Sequence, residues 1–196
     1  IVNPNNPDGR LIRRTDVIAM ARARSAAGRW LVVDESFIEC APGDSVSDVD
    51  EPGLIVLRSF GKFYGLAGVR LGFMLAAPDL IQRLRHLLGD WPVGADAIAM
   101  GRGAYADAAW RSRTSAALDE RAGRLDQRLT RAGFQIVGGT SLFRMTRTPH
   151  AARWFQHLCR AGVLTRPFDH TPDGLRFGVP SERDLPRLVR ALETFG

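Results

Sequence analysis

Apolar runs closed by turn residues alternate with helical periodicities through the first half of the chain. Ile1-Val2 runs into Asn3-Pro4, the end of a buried strand entering a turn. Thr15-Asp16 predicts the cap of a helix reaching about Gly28, followed by the apolar run Trp30 to Val33, which ends abruptly in Asp34-Glu35. After a Pro-, Gly- and Asp-rich loop over 42–53, Leu54 to Leu57 makes a second run ending in Ser59-Phe60-Gly61-Lys62, and Leu71 to Leu75 makes a third. Apolar strands separated by helices imply an α/β arrangement: a mainly parallel sheet covered on both faces, with a ligand crevice beyond the strands' carboxyl ends. Asp34, Ser59 and Lys62 fall near such ends.

Pro78-Asp79 opens a helix to about Leu88, Trp91-Pro92 breaks it, and residues 95–109 predict another. Leu118, Ala122, Leu125, Leu129 and Ala132 then alternate spacings of four and three, one apolar stripe on a helix over roughly 111–131 that suits a connector. Beyond Gly133 the pattern changes to short strands over 134–137, 142–145 and 175–179, with helices near 150–161 and 181–195; Ser181 with Asp184 has the spacing of a capping box. The expected organisation is residues 1–110 as part of a large α/β domain and 111–196 as a connecting helix with a smaller α+β domain.

Composition narrows the class. With 45% hydrophobic and 24% charged residues over 196 positions, the chain has the make-up of a globular protein rather than a disordered or fibrous one. No run approaches a membrane span, the start lacks a signal-peptide pattern, and Cys40 and Cys159 match no disulfide or metal spacing. These features predict a cytoplasmic protein with reduced thiols and no membrane partner. His86, His150, His157 and His170 show no metal spacing either, so no metal is expected. The net charge is +6, yet the basic residues are scattered beside Asp and Glu, as on solvated helix faces rather than in a nucleic-acid footprint. Of 27 basic residues only Lys62 is a lysine. Guanidinium stays protonated, whereas an amine can lose its proton and attack a carbonyl to form a Schiff base, so Lys62 marks a chemistry that arginine cannot supply.

Four features follow strands: Asn3-Pro4-Asn5-Asn6-Pro7-Asp8-Gly9, Asp34, Ser59-Phe60-Gly61-Lys62, and Arg70. Each alone is ordinary turn or cap chemistry. Together they supply a Schiff-base amine, a carboxylate, amide donors and a cation with a hydroxyl, the set required by an aldehyde cofactor with a ring nitrogen and a phosphate. In order and spacing these segments resemble the fold-type-I pyridoxal-phosphate enzymes of the aminotransferase class I and II superfamily, over nearly the whole chain. The resemblance implies pyridoxal 5'-phosphate as cofactor, Lys62 as its Schiff-base lysine and Asp34 as partner of the ring nitrogen. It further implies Asn6 as donor to the ring hydroxyl oxygen, and Ser59 with Arg70 on the phosphate. Arg176, in Leu175-Arg176-Phe177-Gly178, resembles the superfamily's substrate-anion arginine, and Arg166 resembles a second cation of the histidinol-phosphate aminotransferase branch. Two arginines suit a substrate with two anionic groups.

Within that branch, residues 58–73, Asp90-Trp91-Pro92-Val93 and residues 137–144 resemble the L-threonine-O-3-phosphate decarboxylases of cobalamin biosynthesis. The implied reaction is decarboxylation of L-threonine O-3-phosphate to (R)-1-aminopropan-2-ol O-2-phosphate, with transamination of the histidinol-phosphate kind as the alternative. A noncatalytic fragment or an Arg-rich nucleic-acid binder is the reading from another class. Two departures stand out: Phe37 where many relatives carry Tyr, and Gly61 where many carry a hydroxyl residue. A glycine-rich phosphate loop and a ring-stacking aromatic are expected upstream of Ile1. The chain is therefore read as the C-terminal portion of a longer enzyme, homodimeric at full length, acting on a small phosphorylated amino acid.

Overall fold

The computed structural model describes residues 1–195. The chain divides into two compact units, one of Ile1–Asn5 with Leu11–Trp110, the other of Asn6–Arg10 with the chain from Arg111 onward.

In the first unit, α1 (Arg14–Ala26) packs Val17 and Ala21 against β1 (Leu31–Asp34) and β2 (Leu54–Ser59), whose Val33, Leu54 and Val56 complete a small core with Val46. Thr15 does not cap α1: the helix starts at Arg14, whose N–H donates to Asp44 Oδ1 at 3.0 Å. A loop residue thus satisfies an orphan amide that a local cap would otherwise serve. β1 and β2 are parallel, with Asp34 opposite Leu57, and Val2 adds a parallel bridge to Asp34. β3 (Gly72–Leu75) instead runs antiparallel to β2, with Ser59 opposite Gly72. The sheet is thus mainly parallel, through β1, β2 and the Val2 bridge, with β3 as its one antiparallel member among the described residues. The link between β2 and β3 holds only the 3-10 turn Ala67–Val69, and no helix crosses back to restore a parallel direction. α2 (Pro78–Leu88) and α3 (Ala95–Ala106) follow; no described helix is long and apolar enough to cross a membrane.

α4 (Ala108–Arg131) begins earlier than its stripe suggests, because Asp107 Oδ1 accepts the Trp110 N–H at 2.8 Å and opens the first turn. Its buried Ala122, Leu125 and Leu129 are stripe positions. In the second unit, β4 (Gln135–Thr140), β5 (Phe143–Arg147), β6 (Arg166–Phe168) and β7 (Thr171–Gly178) form an antiparallel sheet in the order β4-β5-β7-β6. α5 (Ala151–Arg160) and α6 (Leu185–Glu193) contribute Trp154, Leu158, Leu188 and Leu192 to a core with Leu125, Phe134, Leu175 and Phe177. β6 was not expected, since Pro167 sits in its middle; it is an edge strand, where a missing N–H is tolerated. Ser181 and Asp184 do bond to each other, but in the turn that precedes α6.

Candidate active site

Four of the residues singled out by sequence meet at one end of the first unit's sheet. Asp34 closes β1 and Ser59 closes β2, whose parallel pairing puts both carboxyl ends together. Lys62 lies in the link that follows, and Arg70 just before β3, which antiparallel pairing returns to the same end. The link is folded tightly by backbone bonds from Gly65 N to Lys62 O at 3.0 Å and from Leu66 N to Phe60 O at 3.1 Å. Phe60 anchors it, fully buried among Tyr64, Phe73 and Tyr105.

Asp34 is held on both sides of its backbone, donating to Ile1 O and accepting from Asn3 N at 2.9 Å each. Its Oδ1 accepts from Ser36 N at 2.9 Å and Ser36 Oγ at 2.5 Å, while Oδ2 accepts no hydrogen bond among the described residues. One oxygen is thereby pinned and the other left as an acceptor for a further N–H. Ser36 was not singled out by sequence; its position two residues after the aspartate, where a hydroxyl closes an Asx turn, was the available signal. Lys62 is exposed and its Nζ lies 5.9 Å from the centre of the Phe37 ring, with no carboxylate partner among the described residues. Ser59 Oγ accepts the Gly61 N–H at 3.1 Å. Arg70 adopts a left-handed backbone at φ 57° and donates from Nη1 to Ala67 O at 3.0 Å, which fixes the start of its guanidinium against the turn. A Cβ on Gly61 would meet nothing closer than 3.4 Å, so the missing hydroxyl there reflects no steric exclusion.

Asn6, Arg166 and Arg176 belong to the second unit. Arg166 on β6 is directly opposite Arg176 on β7. Like charges across a strand pair repel; burial first, and then Arg166, hold the Arg176 guanidinium below its ordinary value. Arg176 also lies over the Phe143 ring, 5.3 Å from its centre, and donates to Asn6 Oδ1. Asn6 is therefore tied to Arg176, a link across 170 positions that no local pattern reveals.

Glycines make that link accessible. A Cβ on Gly138 would fall 2.1 Å from the Asp8 carbonyl oxygen, and one on Gly9, at φ +68°, 2.1 Å from that of Gly139. The turn carrying Asn6 thus rests backbone-to-backbone on β4, an approach only glycine allows. Gly138→Ala is expected to cost about 1–3 kcal/mol through overpacking. Thermal unfolding of the full-length variant checks this, and an unchanged midpoint would contradict the close seat.

With this geometry in view, likenesses to known proteins become informative. The family model described as "Aminotransferase class I and II" matches residues 1–192. The threonine-phosphate decarboxylase of Pseudomonas aeruginosa is 40% identical over 197 residues, covering 100% of this chain and 59% of its own. The histidinol-phosphate aminotransferase of Yersinia enterocolitica is 32% identical over 203 residues, covering 98% of this chain and 54% of its own. Among solved structures, the histidinol-phosphate aminotransferase of Sinorhizobium meliloti, in complex with pyridoxal-5'-phosphate, superposes with a TM-score of 0.86 at 23% identity, covering 98% of this chain and 55% of that one. The chain thus spans somewhat more than half the length of the proteins it matches. On the family match along almost its whole length, this chain belongs to the aminotransferase class I and II family.

Proposed function

We propose that the full-length protein is a pyridoxal-phosphate enzyme that decarboxylates L-threonine O-3-phosphate to (R)-1-aminopropan-2-ol O-2-phosphate, a step of cobalamin biosynthesis. In this reading residues 1–110 are part of the cofactor-binding large domain, and 111–196 are the connecting helix and small domain. The observation that carries it is the face-to-face placement of Arg166 and Arg176, two cations that repel until a ligand with two anionic groups neutralises them. The 40% identity with the Pseudomonas decarboxylase supports the choice of reaction.

The donor set fits the cofactor. Among the described residues, an amine without a carboxylate partner, a carboxylate with one open oxygen, a hydroxyl and a guanidinium lie at one sheet end. Lys62 would hold the aldehyde carbon, Asp34 Oδ2 the ring N–H, Asn6 the ring hydroxyl oxygen, and Ser59 with Arg70 the phosphate. When bound, pyridoxal phosphate supplies an aldehyde that captures the substrate amine and a cationic ring that accepts the electron pair released at the α-carbon. Asp34 keeps the proton on the ring nitrogen, with Ser36 holding its carboxylate in one rotamer. Arg176 and Arg166 grip the carboxylate and the phosphate of the substrate, each with a planar fork that fixes direction as well as charge. That grip decides which bond at the α-carbon breaks. Lys62 Nζ, in its protonated ammonium form, would donate a proton to the α-carbon after carbon dioxide leaves.

Feeding threonine phosphate to the full-length protein with cofactor but without any keto acid tests the reading. The expected result is continuous release of carbon dioxide over many turnovers. A reaction that halts after half a turnover, restored by a keto acid, would favour histidinol-phosphate-type transamination, the activity named for the Yersinia relative.

A further inference from the structure

We propose that Arg58, Glu35 and Glu39 form a buried clamp that positions Asp34, Phe37 and the Lys62 turn from the reverse face of the first unit's sheet; this rests on the cofactor reading of Lys62 and Asp34. The three ionisable side chains sit together with little water: Glu35 is 0% exposed, Glu39 7% and Arg58 15%. Arg58 Nη2 donates to Glu39 Oε1 at 2.6 Å, and Nη1 to Glu35 Oε2 and Ser47 Oγ at 3.3 Å each. Glu35 reaches on into the loop, accepting from Val46 N at 2.7 Å and from Ser45 Oγ at 2.8 Å. Burial works against the charge on Arg58, and the Glu39 carboxylate outweighs it, so the guanidinium titrates above its ordinary value.

Stability alone does not account for this group. Buried ion pairs are often replaced by apolar side chains without loss, because desolvation offsets most of the attraction. Here Glu39 Oε2 and Arg58 Nε are buried with no hydrogen-bond partner among the described residues, so the arrangement is not the most stable filling of the space. What it does is tie four segments to one planar guanidinium: the end of β1, the 3-10 turn Ile38–Cys40, the loop at 45–47 and the end of β2. Two members adjoin a candidate cofactor residue along the chain, and the third lies close to Phe37. Glu35 follows Asp34, Arg58 precedes Ser59, and Glu39 lies two residues after Phe37, whose ring faces Lys62. Strand alternation puts Asp34 and Ser59 on one face and Glu35 and Arg58 on the other, and Glu35 N still donates to Leu57 O at 2.8 Å. A shift of the clamp is therefore transmitted rigidly to the opposite face.

The test uses the full-length protein with pyridoxal phosphate as the probe. Glu39→Gln keeps shape and removes one charge. It is expected to weaken cofactor affinity about tenfold, the usual scale for residues that orient a site's ligands, and to move the pH midpoint of the visible absorption band. Ser45→Ala, which removes the hydroxyl that bonds Glu35 and Ser47 and leaves all three charges in place, is expected to act in the same direction, by about threefold, and it decides the matter if Glu39→Gln does not fold. Variants whose cofactor-free melting temperature falls while affinity and band midpoint stay at wild-type values would overturn the clamp and leave a merely structural ion pair. A wild-type protein that shows no visible band with the cofactor would instead withdraw the underlying reading of Lys62 and, with it, the clamp.

Discussion

Replacing Lys62 with arginine in the full-length protein is expected to abolish the visible band formed with pyridoxal phosphate and to lower turnover on the order of 10⁴-fold, the upper range for loss of a positioned acid–base group. Arginine keeps the charge and most of the length, so a residue needed only as a cation would survive the change. A guanidinium cannot attack an aldehyde at neutral pH, nor give up a proton and take it back. The fold should not suffer, because Lys62 is exposed and its amine lies 5.9 Å from the centre of the Phe37 ring. Surface changes of this kind usually stay within about 0.5 kcal/mol. An absorbance titration with a parallel melting curve checks both halves of the prediction. A Lys62→Arg protein that still turns over substrate would refute the assigned chemistry.

Arg176→Met carries the next largest effect. Removing one partner of a substrate ion pair costs about 3 kcal/mol, a drop of roughly a hundredfold in kcat/KM for threonine phosphate. The loss extends beyond charge, since the guanidinium also orients Asn6 and rests on Phe143. Arg166→Gln is expected to differ in sign on stability. It weakens substrate binding, yet it removes the repulsion that depresses Arg176, so the ligand-free protein should gain a few tenths of a kcal/mol. Steady-state kinetics beside melting curves separate the two variants. Equal destabilisation by both would argue that the pair serves the sheet and not a dianionic ligand.

The α/β class and the family were legible because their signals are local: apolar runs ending in Asp34 and in Ser59-Phe60-Gly61-Lys62, and one lysine among many arginines. The gathering of Asp34, Ser59 and Lys62 at one sheet end follows from strand order and was readable in the same way, whereas the place of Arg70 depends on the direction of β3. The direction of β3 was not, because an apolar run does not state which way it lies and the link before it carries no helix. Pro167 hid β6, an edge strand where the usual rule against proline lapses. Asn6 bonded to Arg176 and the Glu35–Arg58–Glu39 group depend on contacts between distant segments. In sequence Asn6 and Arg176 were singled out separately, with nothing to join them, and Glu35 and Glu39 carried no assigned role. Gly138 and Gly139 read as part of a likeness, and only the approach of the turn carrying Asp8 and Gly9 gives the physical reason for them.

Borohydride reduction of the full-length protein in the presence of pyridoxal phosphate, followed by peptide mass mapping, addresses the covalent role of Lys62 directly. A stable cofactor adduct is expected on the peptide that contains Lys62, formed at one equivalent per chain and lost in Asp34→Ala at matched low cofactor concentration. A protein that takes up cofactor at one equivalent per chain with the adduct on a different residue, or that yields no adduct while remaining active, would contradict it.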